Sequence, residues 1–312
     1  MGKRLYLVTG GAGFIGSHLC ERLVQEGQGV RVLDNFFAGK AANLEPFKDN
    51  VEVIRGDIRD ARTVAEAMRG VDIVFHEAAL GSVPRSVADP LSTHEVNING
   101  TLNVLLAARD AGVRRVVSAS SSSVYGETPT LPKHEGITPQ PLSPYALSKL
   151  AGEQYINVFN KVYGFEAVAL RYFNIFGPRQ DPESQYAAVI PRFVTALLEG
   201  RQPVIYGDGQ QSRDFTFVEN VVEANLLASE AEGIAGRAFN VACGGRYTLL
   251  DVLARLKEII GSTIEPLHEA ARRGDVRDSQ ASIDAAAEAF GYRVRVDFDE
   301  GLRRTVAWYT AQ

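Results

Sequence analysis

Tyr145 and Lys149 stand one helical turn apart in SPYALSKL (143–150), so a helix there puts the phenol and the ammonium on one face. A phenol is a poor base near neutrality, with a reference pKa of about 10. A neighbouring positive charge stabilises the phenolate and lowers that value. The pair would then act as a general base, taking a hydroxyl proton while hydride leaves the same carbon. Alone, it reads equally as a half-buried Tyr beside a Lys whose stem lies along the surface. Earlier, SASSSSVYG (118–126) places Ser120, Ser121, Ser122 and Ser123 at the end of an apolar run. Either a surface turn or a group of hydroxyls facing a ligand fits that stretch.

A hydride acceptor is suggested by VTGGAGFIGSH (8–18), which sets Gly10, Gly13 and Gly16 between an apolar run and a helical stretch. Glycine there permits a tight turn and lets backbone N–H groups at a helix N-terminus approach a pyrophosphate. The next apolar run, VRVLDN, closes on Asp34. A carboxylate at that place holds ribose hydroxyls and repels a 2′-phosphate, which favours NAD over NADP. Asp57 and Ile58 follow the third run and suit the adenine, although Asp57 reads almost as well as a helix cap.

These groups need a scaffold that brings them together. Apolar runs at 4–10, 30–34, 51–57, 72–78, 114–120 and 165–174 barely alternate, as strands do when helices cover both faces of a parallel sheet. Helical stretches at 17–27 and 101–112 lie between them, which predicts a Rossmann-type, doubly wound α/β fold. After about residue 174 the pattern breaks into loops, short strands and helices. There RYTLLDVLARLKEIIG (246–261) places Leu249, Val252, Leu253, Leu256 and Ile260 on one face, with Thr248 and Asp251 spaced as an N-cap. The predicted division is a dinucleotide-binding domain at 1–174 and 215–243. A smaller mixed α/β lobe at 175–214 and 244–312 would lie at its C-terminal side.

The chain has 312 residues, 45% hydrophobic and 23% charged, enough for a large core. Its net charge of −5 gives no general attraction to nucleic acid or an anionic membrane. Cys20 and Cys243 are too few and too far apart for a disulfide framework or a zinc site. No apolar stretch approaches the ~18–20 residues a membrane helix needs, and MGKRLYLVTGG does not read as a signal peptide. The expectation is a soluble, cytoplasmic protein without a metal.

TGGAGFIGSH, VLDN, GDIRD, HEAA, VNINGT, SSSSVYGE, SPYALSKLAGE, LRYFNIFGPRQ, RDFTFVEN and FNVACG follow one another along nearly the whole chain. In that order they resemble the NAD-dependent nucleotide-sugar epimerase/dehydratase family of extended short-chain dehydrogenases/reductases. The resemblance implies tightly bound NAD that cycles between oxidised and reduced forms. It assigns catalysis to Tyr145, Lys149 and Ser121, with Ser121 bridging the sugar 4-hydroxyl to the tyrosine. Ser120 and Ser123 are then strand-end packing and turn formation. Cofactor contacts would come from Gly10, Gly13, Phe14, Ile15 and Gly16 in the first turn, and from Asp34, Asn35, Asp57 and Ile58 after the next strands. Ala78, Ala79, Asn97, Tyr145, Lys149 and Tyr172 complete that set.

On the substrate side the resemblance gives Ser122 a polar contact and Asn174, Arg213 and Arg272 the diphosphate, through charge-assisted bonds. Ser82 and Ala188 would lie near the sugar. Relatives that eliminate water or carbon dioxide carry acids where this chain has Ser122 and Ser123, so simple epimerisation is expected. Relatives that also invert C3 and C5 use a Cys with a Lys or His that is not recognisable here. Ser279 stands where plain UDP-glucose 4-epimerases of bacteria often have a tyrosine, which leaves room for an N-acetyl group. Gln280 replaces an aromatic seen in other members, with no consequence assigned. The expected reaction interconverts UDP-N-acetylglucosamine and UDP-N-acetylgalactosamine, with UDP-glucose/UDP-galactose as a further pair, in polysaccharide biosynthesis. UDP-glucuronate 4-epimerisation is the alternative, although those relatives often carry Thr where Asn174 stands. Another nucleotide-sugar oxidoreductase or dehydratase, and a non-catalytic NAD-binding scaffold, are weaker ones. A homodimer is expected through helices around 99–111 and 146–163, with no nucleic-acid or membrane partner.

Overall fold

In the computed structural model, which describes residues 3–182, 188–270 and 277–312, the apolar runs form one sheet. Its strands are β1 (Leu5–Thr9), β2 (Gly29–Asp34), β3 (Val51–Arg55), β4 (Ile73–His76), β5 (Arg115–Ser121), β6 (Ala167–Tyr172) and a last strand, Ala238–Val241. Across the sheet the order is 238–241, β6, β5, β4, β1, β2, β3, and every pairing is parallel. This is the Rossmann-type arrangement that the spacing of the runs predicts.

Side chains alternate between the two faces, and each face has its own core. Tyr6, Val8, Val32, Phe75 and Val117 pack on one side with residues of helices Phe14–Gln25 and Val218–Glu230. Leu7, Leu33, Val74 and Val116 pack on the other with residues of helices Ala61–Ala67, Gly100–Asp110 and Pro144–Tyr163. Each such fully buried side chain contributes about 1.5–3 kcal/mol, and covering both faces removes the need for polar alternation along the strands.

A further cluster gathers Phe176, Phe193, Ile205, Phe215, Phe217, Leu253, Phe298 and Leu302. Phe176 meets the rings of Phe217 and Phe298 edge-on, each 5.6 Å away. Helix Leu249–Ile260 begins with the anticipated capping box: the Asp251 N–H donates to the Thr248 hydroxyl at 3.0 Å, and the Thr248 N–H to the Asp251 carboxylate at 2.9 Å. The stretch 284–292, grouped by sequence with the smaller lobe, lies against the main sheet. There Phe290 meets Phe239 at 5.3 Å, and the Tyr292 hydroxyl donates to the Ala242 carbonyl at 2.9 Å. Among the described residues no helix is long and apolar enough to cross a membrane.

One ion pair is enclosed by this packing. Arg171 on β6 and Glu153 on helix Pro144–Tyr163 are both almost fully buried. They meet in a fork, Nε to Oε1 at 2.9 Å and Nη2 to Oε2 at 2.7 Å. Arg171 also donates to the Tyr125 hydroxyl, which donates to Asn240. Removing one partner strands the other charge, so Glu153→Ala should cost about 3–5 kcal/mol in urea unfolding. Arg171→Met with Glu153→Leu should recover most of that loss, because an apolar pair of similar volume leaves no stranded charge.

Candidate active site

The strand order reverses between β1 and β4, and in open α/β sheets ligands bind at the carboxyl ends of the strands beside such a point. A cleft opens there. Gly10 ends β1 with φ +70°, and a Cβ on it would come within 2.8 Å of the Ala78 nitrogen. A Cβ at Gly16 would run into the Gly10 carbonyl oxygen, so helix Phe14–Gln25 can start this close to β1 only without a side chain there.

Of the residues assigned to the cofactor, Gly10, Gly13, Asp34, Asn35, Asp57, Ile58, Ala78 and Ala79 line the cleft. Asp34 ends β2, and its carboxylate accepts from the backbone N–H of Ala12 at 2.9 Å and of Phe36 at 2.7 Å. Asn35 donates to Asp57 at 2.8 Å, and Asp57 pairs with Arg59, whose hydrogen bonds pull its carboxyl down to about 2. The alternative of Asp57 as a helix cap is not realised: Asp60 caps helix Ala61–Ala67. Phe14 and Ile15 form the first turn of their helix and pack toward the aromatic cluster, with Gly16 buried beside them. Asn97 is buried, holding Leu80 and Ser148 by their backbone and hydroxyl groups. The glycine geometry and the carboxylates after β2 and β3 fit NAD.

Tyr145 and Lys149 sit on the first turns of helix Pro144–Tyr163, which Ser143 caps and Pro144 opens. Lys149 donates to the Ala119 carbonyl at 2.8 Å, which fixes it against β5. Burial pulls its ammonium down to about 8, opposed by Glu77 and Glu153. The Tyr145 phenol is pushed above its usual value by burial, while a hydrogen bond with Ser121 acts the other way. Both groups lose solvation, and for each of them burial is the largest influence.

The serines divide their tasks. Ser120 donates to Glu153, and Ser123 donates to Ser121 through its hydroxyl and its backbone N–H. Ser121 ends β5 facing Tyr145, and Ser122 opens a short 3-10 turn, Ser122–Tyr125.

On the side assigned to the sugar, Asn174 adopts φ +40° and donates to the Asp214 carbonyl at 3.0 Å. Arg213 donates to the carbonyls of Ser212 and Arg277. Ser279 is buried, its backbone N–H donating to Ser212 at 3.1 Å. Ser82 caps helix Val83–Ala88 and so spends its hydroxyl on the Arg85 N–H. Ala188 is exposed just before helix Val189–Leu198. Arg272 lies outside the described residues.

Sequence reasoning passed over Glu77, which lines the cleft and accepts from the Tyr172 hydroxyl at 2.8 Å. The signal was an acid at the end of an apolar run, in HEAA. Phe37, Leu80 and Val96, also in the lining, carry no comparable signal.

A glycine turn at the reversal of a parallel sheet, with Tyr and Lys one turn apart at its open end, defines a dinucleotide-dependent enzyme of the short-chain dehydrogenase/reductase type. Residues 6–242 match the model of the NAD dependent epimerase/dehydratase family, and the chain belongs to that family. It is similar to a UDP-N-acetylglucosamine 4-epimerase from Methanobrevibacter ruminantium M1, solved in complex with UDP-N-acetylmuramic acid. The two are 41% identical over 100% of both chains, with a TM-score of 0.95. It is similar also to the UDP-glucose 4-epimerase of Thermus thermophilus in complex with NAD, 40% identical over 98% of this chain and 99% of that one, TM-score 0.90. A UDP-glucose 4-epimerase of Mycolicibacterium smegmatis is 40% identical over 307 residues, 97% of each chain.

His76 makes one property of this region measurable. Thr101 spends its proton on the Asn97 carbonyl at 2.6 Å, so it must accept from His76 Nε2 at 2.9 Å. His76 Nδ1 then accepts from the Thr9 hydroxyl at 2.7 Å, which requires the neutral ring. Burial pulls its pKa down to about 3. The unfolded chain therefore binds the extra proton between about 6.5 and about 3, and stability falls as pH drops through that window, by up to ~1.4 kcal/mol per pH unit. Urea unfolding at pH 7, 5.5 and 4.5 should show a shallower acid loss in His76→Gln than in the parent.

Proposed function

We propose that this enzyme, an NAD-dependent UDP-sugar 4-epimerase, interconverts UDP-N-acetylglucosamine and UDP-N-acetylgalactosamine. The observation that carries the reading is Tyr145 hydrogen-bonded to Ser121 with Lys149 one helical turn on, both under the charge of the cleft-lining Glu77, and with β5 followed by Ser122 and Ser123 rather than an acid. One hydroxyl proton can be moved there without a group placed to eliminate water.

Tyr145 takes the proton of the sugar 4-hydroxyl, through or beside Ser121, and later returns it. The chemistry NAD supplies when bound is reversible two-electron oxidation of the carbon bearing that hydroxyl. Lys149 holds the cofactor ribose and, once charged, stabilises the tyrosinate. Asn174, Arg213 and Arg272 anchor the diphosphate, so the flat 4-keto sugar turns over between proton removal and return. Ser279, buried and small, supports an N-acetylated sugar, since a larger side chain there would narrow the space beside C2.

Proton NMR of the purified enzyme without added NAD tests this. UDP-N-acetylglucosamine should give new galacto-configured anomeric signals. Conversion of UDP-glucose alone would overturn the substrate assignment, and conversion only of UDP-glucuronate would favour the alternative. Tyr145→Phe should lower turnover by about 10²–10⁴-fold, the range for a lost general base, with NAD content unchanged.

The same reading includes a homodimer. Leu147, Val158 and Val162 are exposed along one face of helix Pro144–Tyr163, with Leu91 and Leu142 exposed in neighbouring segments. A second copy of this helix is the occupant that fits, since two such faces bury each other. Light scattering should give twice the chain mass for the parent and the single mass for Leu147→Glu with Val158→Glu.

A further inference from the structure

Glu77 is a half-buried acid that the proton transfer does not use. It follows β4 directly, lines the cleft beside Ala78, and its backbone lies 3.1 Å from where a Gly10 Cβ would stand. Its side chain accepts one hydrogen bond, from Tyr172 on β6. The Tyr172 oxygen accepts in turn from Asn225 at 2.8 Å, and the buried Asn225 carbonyl oxygen has no partner at all. This corner is therefore short of donors, and among the described residues no ion pair includes Glu77.

The groups facing Glu77 are few. Lys149 and Tyr145 act on it from helix Pro144–Tyr163 and Tyr172 from β6, while Asn225 from helix Val218–Glu230 is uncharged. His76 stays neutral between Thr9 and Thr101. Burial pushes the Glu77 carboxyl up to about 7, with Lys149 and the Tyr172 hydrogen bond opposing. An oxidised nicotinamide ring carries a positive charge and a reduced one carries none. A carboxylate that lines the cleft and acts on Tyr145 and Lys149 favours the oxidised form.

Resting on the NAD-dependent epimerase reading, we propose that Glu77 is a positioning residue that sets the redox poise of the bound cofactor, holding it oxidised between turnovers by the negative charge it presents beside Tyr145 and Lys149. An epimerase must return every hydride it removes, and a cofactor left reduced takes the enzyme out of the cycle. Glu77 makes that state unfavourable.

The test equilibrates purified parent, Glu77→Gln and Glu77→Asp, each with its bound cofactor and no sugar, against an external two-electron couple at set potentials. Absorbance at 340 nm reads the bound NADH to NAD⁺ ratio. A unit charge at roughly 10 Å and an effective dielectric near 20 shifts such a ratio by about tenfold. Glu77→Gln should therefore hold about tenfold more NADH at equal potential, about 30 mV for a two-electron couple. Glu77→Asp should stay close to the parent. The parent ratio should also gain extra NADH as pH falls through about 7, and Glu77→Gln should lack that added slope. An unchanged ratio in Glu77→Gln overturns the proposal, as does lower NAD content with the remaining cofactor poised as in the parent. Because no sugar is present, a failed epimerase assignment would show only in the NMR assay and leave the potential shift intact.

Discussion

The end of β1 runs so close to the end of β4 that a side chain at Gly10 would overlap the Ala78 backbone, and the site is organised around that approach. It brings the helix N-terminus after Gly13, the Asp34 carboxylate and the Glu77–Ala79 segment to one cleft. The parallel sheet imposes it, because the chain leaves β1 toward β2 on one side and returns to β4 on the other. β5, the neighbour of β4, then delivers Ser121 at the same level, and the helix after it delivers Tyr145 and Lys149. Chemistry at the open end follows from strand order before any particular side chain is chosen.

Buried charge links that site to the fold. Lys149 feels Glu77 on the cleft side and Glu153 on the core side. Glu153 is shared with Ser120 and Arg171, and Arg171 reaches Tyr125 and Asn240. The Lys149 ammonium is thus set in an electrostatic frame that also joins β5, β6, the last strand and helix Pro144–Tyr163. In a low-dielectric interior such a network holds one geometry firmly, because each unpaired member is costly.

Much of this was legible in the residues. The unalternating runs, the glycine turn with Asp34, and the Thr248–Asp251 cap are local patterns whose physics does not depend on distant contacts. What escaped depends on residues far apart in the chain. Glu77 has its partner Tyr172 on another strand and its charge neighbour Lys149 on a helix, so HEAA alone said only that a run had ended. The helix cap assigned as an alternative to Asp57 fell to Asp60, three residues on, because only Asp60 reaches the Arg62 N–H. The burial that dominates at Tyr145 and Lys149 escaped as well, because spacing reveals a neighbouring cation but not the desolvation both groups share.

The residues assigned to the sugar side share one main-chain framework. The Asp214 carboxylate accepts from the backbone of Cys243, Gly244 and Ala281 at 3.0–3.1 Å. Lys133 adds backbone bonds to Gln280 and Ser282. Arg213 and Ser279 are therefore carried by strands pinned to one another through main-chain bonds, and Ser279 itself is tied to Ser212 by its N–H rather than its hydroxyl. Its side chain carries none of that framework. On the proposed reading, a change at this position would alter the volume beside the sugar while leaving the main-chain bonds that carry Arg213 as they are.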